Sequence, residues 1–243
     1  MSPYKIMIVD NPKNIENIET CLSNACCSII SANSGLAALK VLRESPIDIL
    51  VTRQELLDIN GIGLFDAIKN QRPDMHCIIM SDRCCRIEPQ DASRLDLLMR
   101  PFEYQDLASR VTDKVQFIQR CRLLKQWVMI VEDTRALMLT QMKMLKNIGF
   151  SNILSAQNGH QAIETLESSE NKPALIISDW YMPEMNGLEF LQWLRKSDIY
   201  KDIRFIMATS QAETKKAMDA GADAFLIKPF DMETFQKVIW DLV

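Results

Sequence analysis

Three carboxylates, one hydroxyl and one ammonium carry the chemistry open to this chain. Glu132 and Asp133 follow the apolar run at 128–131, Asp179 follows 174–178, Thr209 follows 204–208 and Lys228 follows 224–227. If these runs are strands of one parallel sheet, the five residues meet at its carboxyl edge, where such sheets gather their functional groups. Like charges so close repel unless a cation compensates them, and an all-oxygen set with few protein ligands suits Mg2+, which keeps several of its waters. Taken singly, each residue has a plainer use: Asp133 can cap a helix over 134–137, and Thr209 or Ser210 another. All five at the right strand ends are hard to obtain by chance.

The elements that must position them follow from periodicity. Short β-branched apolar runs at 128–131, 153–156, 174–178, 204–208 and 224–227 alternate with stretches of helical period. Leu137, Met138, Gln141, Met142, Met144 and Leu145 mark a first helix, then Ala162, Ile163 and Leu166, then Leu188, Phe190, Leu191 and Leu194, then 212–220, then Phe235, Val238, Ile239 and Leu242. Nearly continuous apolar strands separated by helices are the pattern of βα units with helices on both faces of a parallel sheet. The expectation is an α/β (βα)5 unit.

That unit occurs twice. IMIVD at 6–10 matches VMIVED at 128–133, SGLAALKVL at 34–42 matches NGHQAIETL at 158–166, NG recurs at 60–61 and 186–187, and RPF at 100–102 matches KPF at 228–230. The first copy is expected to place strands near 5–9, 27–31, 47–51, 76–80 and 95–99. Its last helix, marked by Leu107, Val111, Val115, Ile118 and Leu124, runs almost directly into the next strand. No Gly/Ser/Pro linker separates the copies, so a short, stiff junction is expected at about residues 122–127. Residues 1–125 hold 16 basic and 16 acidic side chains, which leaves 12 and 16 for the remainder, so copy two carries all the excess acid.

The V-x-x-V-E-D of the first strand, S-D-x-x-M-P-x-M-N-G at 178–187, A-T-S at 208–210 and G-A-D-A-F-L-I-K-P-F at 221–230 resemble the receiver domain of two-component response regulators. The resemblance covers all of copy two, and copy one shares its frame. It implies two tandem flavodoxin-like (βα)5 domains, each a doubly wound five-stranded parallel sheet: a degenerate receiver at 1–124 and a phosphorylatable one at 125–243. By this resemblance Asp179 accepts a phosphoryl group from a phosphohistidine, the partner being a sensor histidine kinase or a histidine phosphotransfer protein. Asp133, Asp179 and the carbonyl of Tyr181 would bind Mg2+, with Glu132 acting through water. Lys228 would hold phosphoryl oxygens, Thr209 would move to the phosphorylated side chain, and Phe225 would be a switch aromatic that turns inward. Pro229 resembles the family's cis-proline turn. By the same resemblance Tyr181 and Gln211 would occupy positions that influence the access of hydrolytic water, and a tyrosine there predicts a long-lived phospho-form. Trp180 is expected near the surface of the crevice.

Alignment of the two NG pairs puts Arg53 where copy two has Asp179. The acid pair becomes Asp10 and Asn11, the Thr209 position falls on Asp82 or Ser81, and the lysine becomes Arg100. Two guanidiniums facing Asp10 and Asp82 could neutralise this crevice without metal, since Arg stays charged and pairs well with carboxylates. Copy one then reads as a pseudo-receiver locked by an Arg53–Asp10 pair, the alternative being drift with Arg53 in solvent. Asp58 reads as a turn residue.

Composition narrows the rest. The chain has 243 residues and a formal charge of −4. Its longest apolar stretches fall far short of the roughly 20 residues of a membrane span, so a soluble, cytoplasmic protein is expected. The absence of a Lys/Arg run argues against nucleic-acid binding by phosphate neutralisation alone. Seven cysteines without C-x-x-C spacing argue against a disulfide framework or a zinc ribbon; the adjacent pairs Cys26–Cys27 and Cys84–Cys85 leave redox sensing open. His76 and His160 are isolated, and residues 133–135 are no cradle for a flavin phosphate. The leading expectation is a signalling protein with a downstream protein target and no catalytic output of its own. In it copy one is a docking or dimerisation module, and a homodimer through the family's fourth helix, fifth strand and fifth helix is available. The alternative is the regulatory front half of a longer regulator with an enzymatic output such as a diguanylate cyclase.

Overall fold

The computed structural model describes residues 4–23, 27–210 and 214–242; Cys26 and Gln211 lie outside them. The chain divides into two compact units, Met1–Phe117 and Ile118–Val243. In the first, β1 (Tyr4–Val9), α1 (Pro12–Cys21), β2 (Cys27–Ala32), α2 (Gly35–Glu44), β3 (Ile49–Arg53), α3 (Gly61–Ile68), β4 (His76–Ser81) and β5 (Leu95–Met99) precede α4 (Tyr104–Leu124), whose residues from Ile118 on belong to the second. The second contains β6 (Trp127–Val131), α5 (Arg135–Ile148), β7 (Ile153–Ala156), α6 (Gly159–Ser168), β8 (Pro173–Asp179), α7 (Gly187–Lys196), β9 (Arg204–Thr209), α8 (Thr214–Asp219), β10 (Ala224–Ile227) and α9 (Met232–Asp241).

Both sheets are wholly parallel and share one order, β2-β1-β3-β4-β5 and β10-β9-β8-β6-β7. Each is the doubly wound sheet expected from the alternation of apolar runs. Every strand side chain from Ile6 to Val9 and from Val128 to Val131 is inaccessible to solvent, because helices cover both faces. In the second unit, Met129, Ile176, Phe190 and Phe205 fill one layer, and Val128, Ile130, Ile177, Leu226 and Phe235 the other. Each such side chain contributes about 1.5–3 kcal/mol of burial.

Helix starts follow local chemistry. Asn11, Ser34, Asn60, Asn158 and Asn186 each accept a first-turn backbone N–H with the side chain, and Asn186 forms a reciprocal capping box with Glu189. Gly149 ends α5 in the left-handed conformation at φ 114°, where a side chain would be strained.

Two expectations are corrected in copy one. Its third strand runs over Ile49–Arg53, two residues later than 47–51, because Asp48 accepts Lys5 N–H with its carboxylate before the ladder opens at Ile6↔Ile49. Its fourth helix is replaced by a single 3-10 turn, Pro89–Asp91. The segment 82–94 carries Pro89 and, beside its two cysteines, only Ile87 and Ala92 as apolar residues, too few to line a helix face. It is pinned by buried Asp91, which pairs with Lys69 at 2.7 Å and Arg94 at 3.4 Å. At the junction, α4 continues to Leu124 and only residues 125–126 precede β6.

Candidate functional site

In copy two the strand ends place the charged groups. Glu132, the first residue beyond β6, is fully buried, and its amide donates to Ala156 O at 3.0 Å. Asp179 closes β8 at 9% exposure, and Asp133 is exposed. One carboxylate oxygen from each of the three lies within 4.8 Å of the others. Lys228 Nζ bridges two of them, 2.8 Å from Asp179 Oδ2 and 3.2 Å from Glu132 Oε2. Thr209 ends β9, buried, and its carbonyl accepts Lys228 N–H at 2.9 Å, so hydroxyl and ammonium sit on adjoining strand ends. The Lys228–Pro229 peptide is cis.

Three carboxylates against one ammonium leave formal negative charge in excess. Burial pushes the Glu132 carboxyl above its ordinary value, Lys228 opposes the rise and Asp179 adds to it. Hard oxygen donors, one of them open to solvent, fit a hydrated divalent cation. The loop to α7 is held close: Gly187 N–H donates to Trp180 O at 2.9 Å, and a Cβ on Gly187 would overlap the carbonyl oxygen of Asp179.

Tyr181 is exposed beside this crevice, and Phe225 is 37% exposed on β10, an outward position. Trp180 is a correction: it is 7% exposed and packs in the core near Phe190, because its strand-end position turns the indole inward. Gln141 was legible only as one mark of an α5 stripe. It is buried, and its amide donates to Glu132 Oε2 at 3.1 Å, fixing the carboxylate that Lys228 also holds. A glutamine on an otherwise apolar face was the available signal.

Copy one repeats the frame bond for bond. Asp10 N–H donates to Ala32 O, Gln54 N–H to Met80 O, Gly61 N–H to Gln54 O and Arg100 N–H to Ser81 O, as Glu132, Trp180, Gly187 and Lys228 do to Ala156, Ala208, Trp180 and Thr209. The Arg100–Pro101 peptide is also cis. Arg53 therefore occupies the place of Asp179, and Asp10 that of Glu132. Asp10 is fully buried, with Arg53 Nη1 3.6 Å from Oδ1 and Arg100 Nη2 3.4 Å from Oδ2. Asn11 N–H and Asn14 Nδ2 also donate to Oδ1, at 2.6 and 3.0 Å. Arg53 thus points into the crevice, not into solvent.

The counterpart of Thr209 is Ser81, not Asp82. Ser81 is the buried end of β4, whereas Asp82 is exposed one residue beyond it. Ser81 Oγ donates to Glu55 Oε1 at 3.0 Å, so a carboxylate at the position of Tyr181 engages the hydroxyl. Asp58 is more than a turn residue. Its carboxylate accepts Gly35, Leu36 and Ile59 N–H at 3.0, 2.8 and 2.8 Å, capping α2 from outside, and these bonds lower its pKa to about 2. His160 is exposed, and His76 is buried edge-on to Phe117.

A doubly wound sheet with an acidic, lysine-bridged carboxyl edge defines a class that sequence comparison then names. The response regulator receiver domain matches residues 6–112 and 128–239, and the chain belongs to that family, with two receiver domains in tandem. The chain is 31% identical over 119 residues to the chemotaxis protein CheY homolog of Campylobacter jejuni, covering 48% of this chain and 91% of that protein. It is 31% identical over 113 residues to chemotaxis protein CheY1 of Helicobacter pylori, covering 45% and 90%. The structure of chemotaxis response regulator CheY4 of Vibrio cholerae aligns at 26% identity and TM-score 0.45, over 49% of this chain and 98% of that one. The function is that of a receiver in phosphorelay signalling. No helix among the described residues is long and apolar enough to cross a membrane.

Proposed function

We propose that copy two is the working receiver and that Asp179 is its phosphoacceptor. The observation that carries this is the meeting of Asp179, Glu132, Asp133 and Lys228 in one crevice, against Arg53 at the matching place in copy one. An Asp179 carboxylate oxygen attacks phosphorus, and the bond to the histidine nitrogen of a sensor kinase or phosphotransfer protein breaks. Such transfer is governed by positioning and by neutralising the equatorial oxygens. Lys228 is already 2.8 Å from the attacking carboxylate and can follow the charge onto the phosphoryl group.

Asp133, Asp179 and the Tyr181 carbonyl would hold Mg2+, with Glu132 through water; the ion supplies neutralisation of phosphoryl charge. Gln141 keeps Glu132 oriented for that task. After transfer, the new acceptor oxygens draw Thr209 inward, and Phe225 follows from its outward position, altering the α8–β10 surface presented to a downstream protein. The exposed Tyr181 ring shields the phosphoryl group from water.

Copy one is a pseudo-receiver held in one state by the Arg53–Asp10–Arg100 cluster and serves as a docking or dimerisation module. Because it has no fourth helix, a homodimer through the face that includes that helix would use copy two. The test is incubation of the full chain with acetyl phosphate, with and without Mg2+. Wild type gains one phosphoryl group only with Mg2+, Asp179→Ala gains none, and a gain by Asp179→Ala would refute the assignment.

A further inference from the structure

The loop that replaces copy one's fourth helix carries two adjacent thiols. We propose that Cys84 and Cys85 form a reversible oxidation site at which a hydroperoxide converts the dithiol to a vicinal disulfide.

Both cysteines are free, Cys84 exposed and Cys85 half-buried. They line an open cavity of about 710 Å³ with Arg83, Arg86, Glu55 and Asp82, of balanced charge and with room enough for a small oxidant. A solvent-accessible thiol with a resolving thiol beside it is the arrangement that supports reversible oxidation. Cys77 is the contrast: fully buried, with a thiol that burial pushes far up, it is withheld from such chemistry.

The roles divide by exposure. Cys84 sulfur attacks the peroxide oxygen, the O–O bond breaks, and water or an alcohol leaves, which makes a sulfenic acid. Cys85 sulfur then attacks Cys84 sulfur. The S–S bond forms, the S–O bond breaks, and water departs with the Cys85 proton. Two thiols lose two electrons and the peroxide gains them.

Neighbouring Cα atoms lie about 3.8 Å apart, less than the roughly 4.4–6.8 Å usual across a disulfide, so this bond is strained and readily reduced. Residues 84–88 lie in neither helix nor strand, so no helical or ladder bond has to break to accommodate it. Cys85 Sγ lies 3.4 Å from Arg83 O and 3.6 Å from Ser81 Oγ, and Ser81 bonds Glu55. Oxidation removes the Cys85 S–H from that chain, beside the Arg53 crevice. The proposal stands apart from the phosphoacceptor assignment.

The experiment treats the full chain with hydrogen peroxide, alkylates the remaining thiols and reads intact mass and peptide maps. A loss of about 2 Da confined to the peptide holding Cys84 and Cys85, reversed by dithiothreitol, is expected. Cys85→Ser should lose it and accumulate higher oxides at Cys84, and Cys84→Ser should lose it altogether. Both thiols remaining alkylatable, a disulfide confined to Cys26–Cys27, or a bond that survives in Cys85→Ser would overturn the proposal.

Discussion

The two crevices are built on one backbone and differ in the sign of what fills them. In copy two the residue that ends the third strand is Asp179, and three carboxylates face a single ammonium. In copy one that residue is Arg53, and a single buried carboxylate is held between two guanidiniums. The first arrangement carries an excess of negative charge that could coordinate a divalent cation, and the second supplies its own positive charge. The main-chain bonds that set both are the same, so the fold fixes where a strand-end side chain points and leaves its chemistry to the residues that stand at those few positions.

The contrast can be broken at several places. Lys228→Met should slow acetyl phosphate-driven phosphorylation by about 10²–10³-fold, as loss of one preorganised charge-stabilising group does. Arg100→Met, its counterpart, should leave that rate unchanged. Equal losses would mean that the crevices work together.

Asp10→Asn would leave two guanidiniums facing each other without a counter-charge. Removing one partner from a buried ion pair costs about 3–5 kcal/mol, and the low end applies here because the arginine side chains retain 27% and 31% exposure. Denaturant unfolding should show the loss in the copy-one transition, and Arg53→Met added to Asp10→Asn should recover part of it. No loss in Asp10→Asn would show that the cluster holds nothing together.

Gly187→Ala should destabilise copy two by about 1–3 kcal/mol, since the added methyl meets backbone that cannot step aside. Gly61→Ala meets Arg53 O at 2.7 Å and should cost less. The reverse order, measured by thermal unfolding, would mean that the α7 entry is looser than the α3 entry.

The smallest effect separates the helix entries. Asp58 caps α2, whereas Glu184 in copy two accepts from the Asn158 side chain. The Asp58 pKa is depressed, so its contribution is present above the ordinary value of 3.8 and is lost as pH falls through about 2. Asp58→Asn should flatten that acid limb of copy one's stability and leave copy two's unchanged.

Much of this was legible in the residues. Two strands of copy two begin and end where their apolar runs do, and the other three extend by one residue at one or both ends, because fully buried parallel strands leave little ambiguity. The repeat offset alone places Arg53 opposite Asp179. What escaped depends on partners distant in sequence. Ser81 and Asp82 are told apart by the folded strand end, where Ser81 is buried and accepts Arg100 N–H while Asp82 is exposed. Glu55 and Gln141 act through side chains 26 and 9 residues away. The absent fourth helix of copy one lay hidden because the strands around it keep their spacing, so the frame implied a helix that residues 82–94 have no stripe to form.

The most direct test maps where phosphate goes in the whole chain. Wild type, Asp179→Ala and Arg53→Asp are incubated with acetyl phosphate and Mg2+, and the modified peptide is identified by mass. The account predicts a single modified site at Asp179 in wild type and in Arg53→Asp, and none in Asp179→Ala, because copy one has Asn11 and Arg100 where copy two has Asp133 and Lys228. A phosphoryl group on any residue of copy one in wild type, or its persistence in Asp179→Ala, would contradict it.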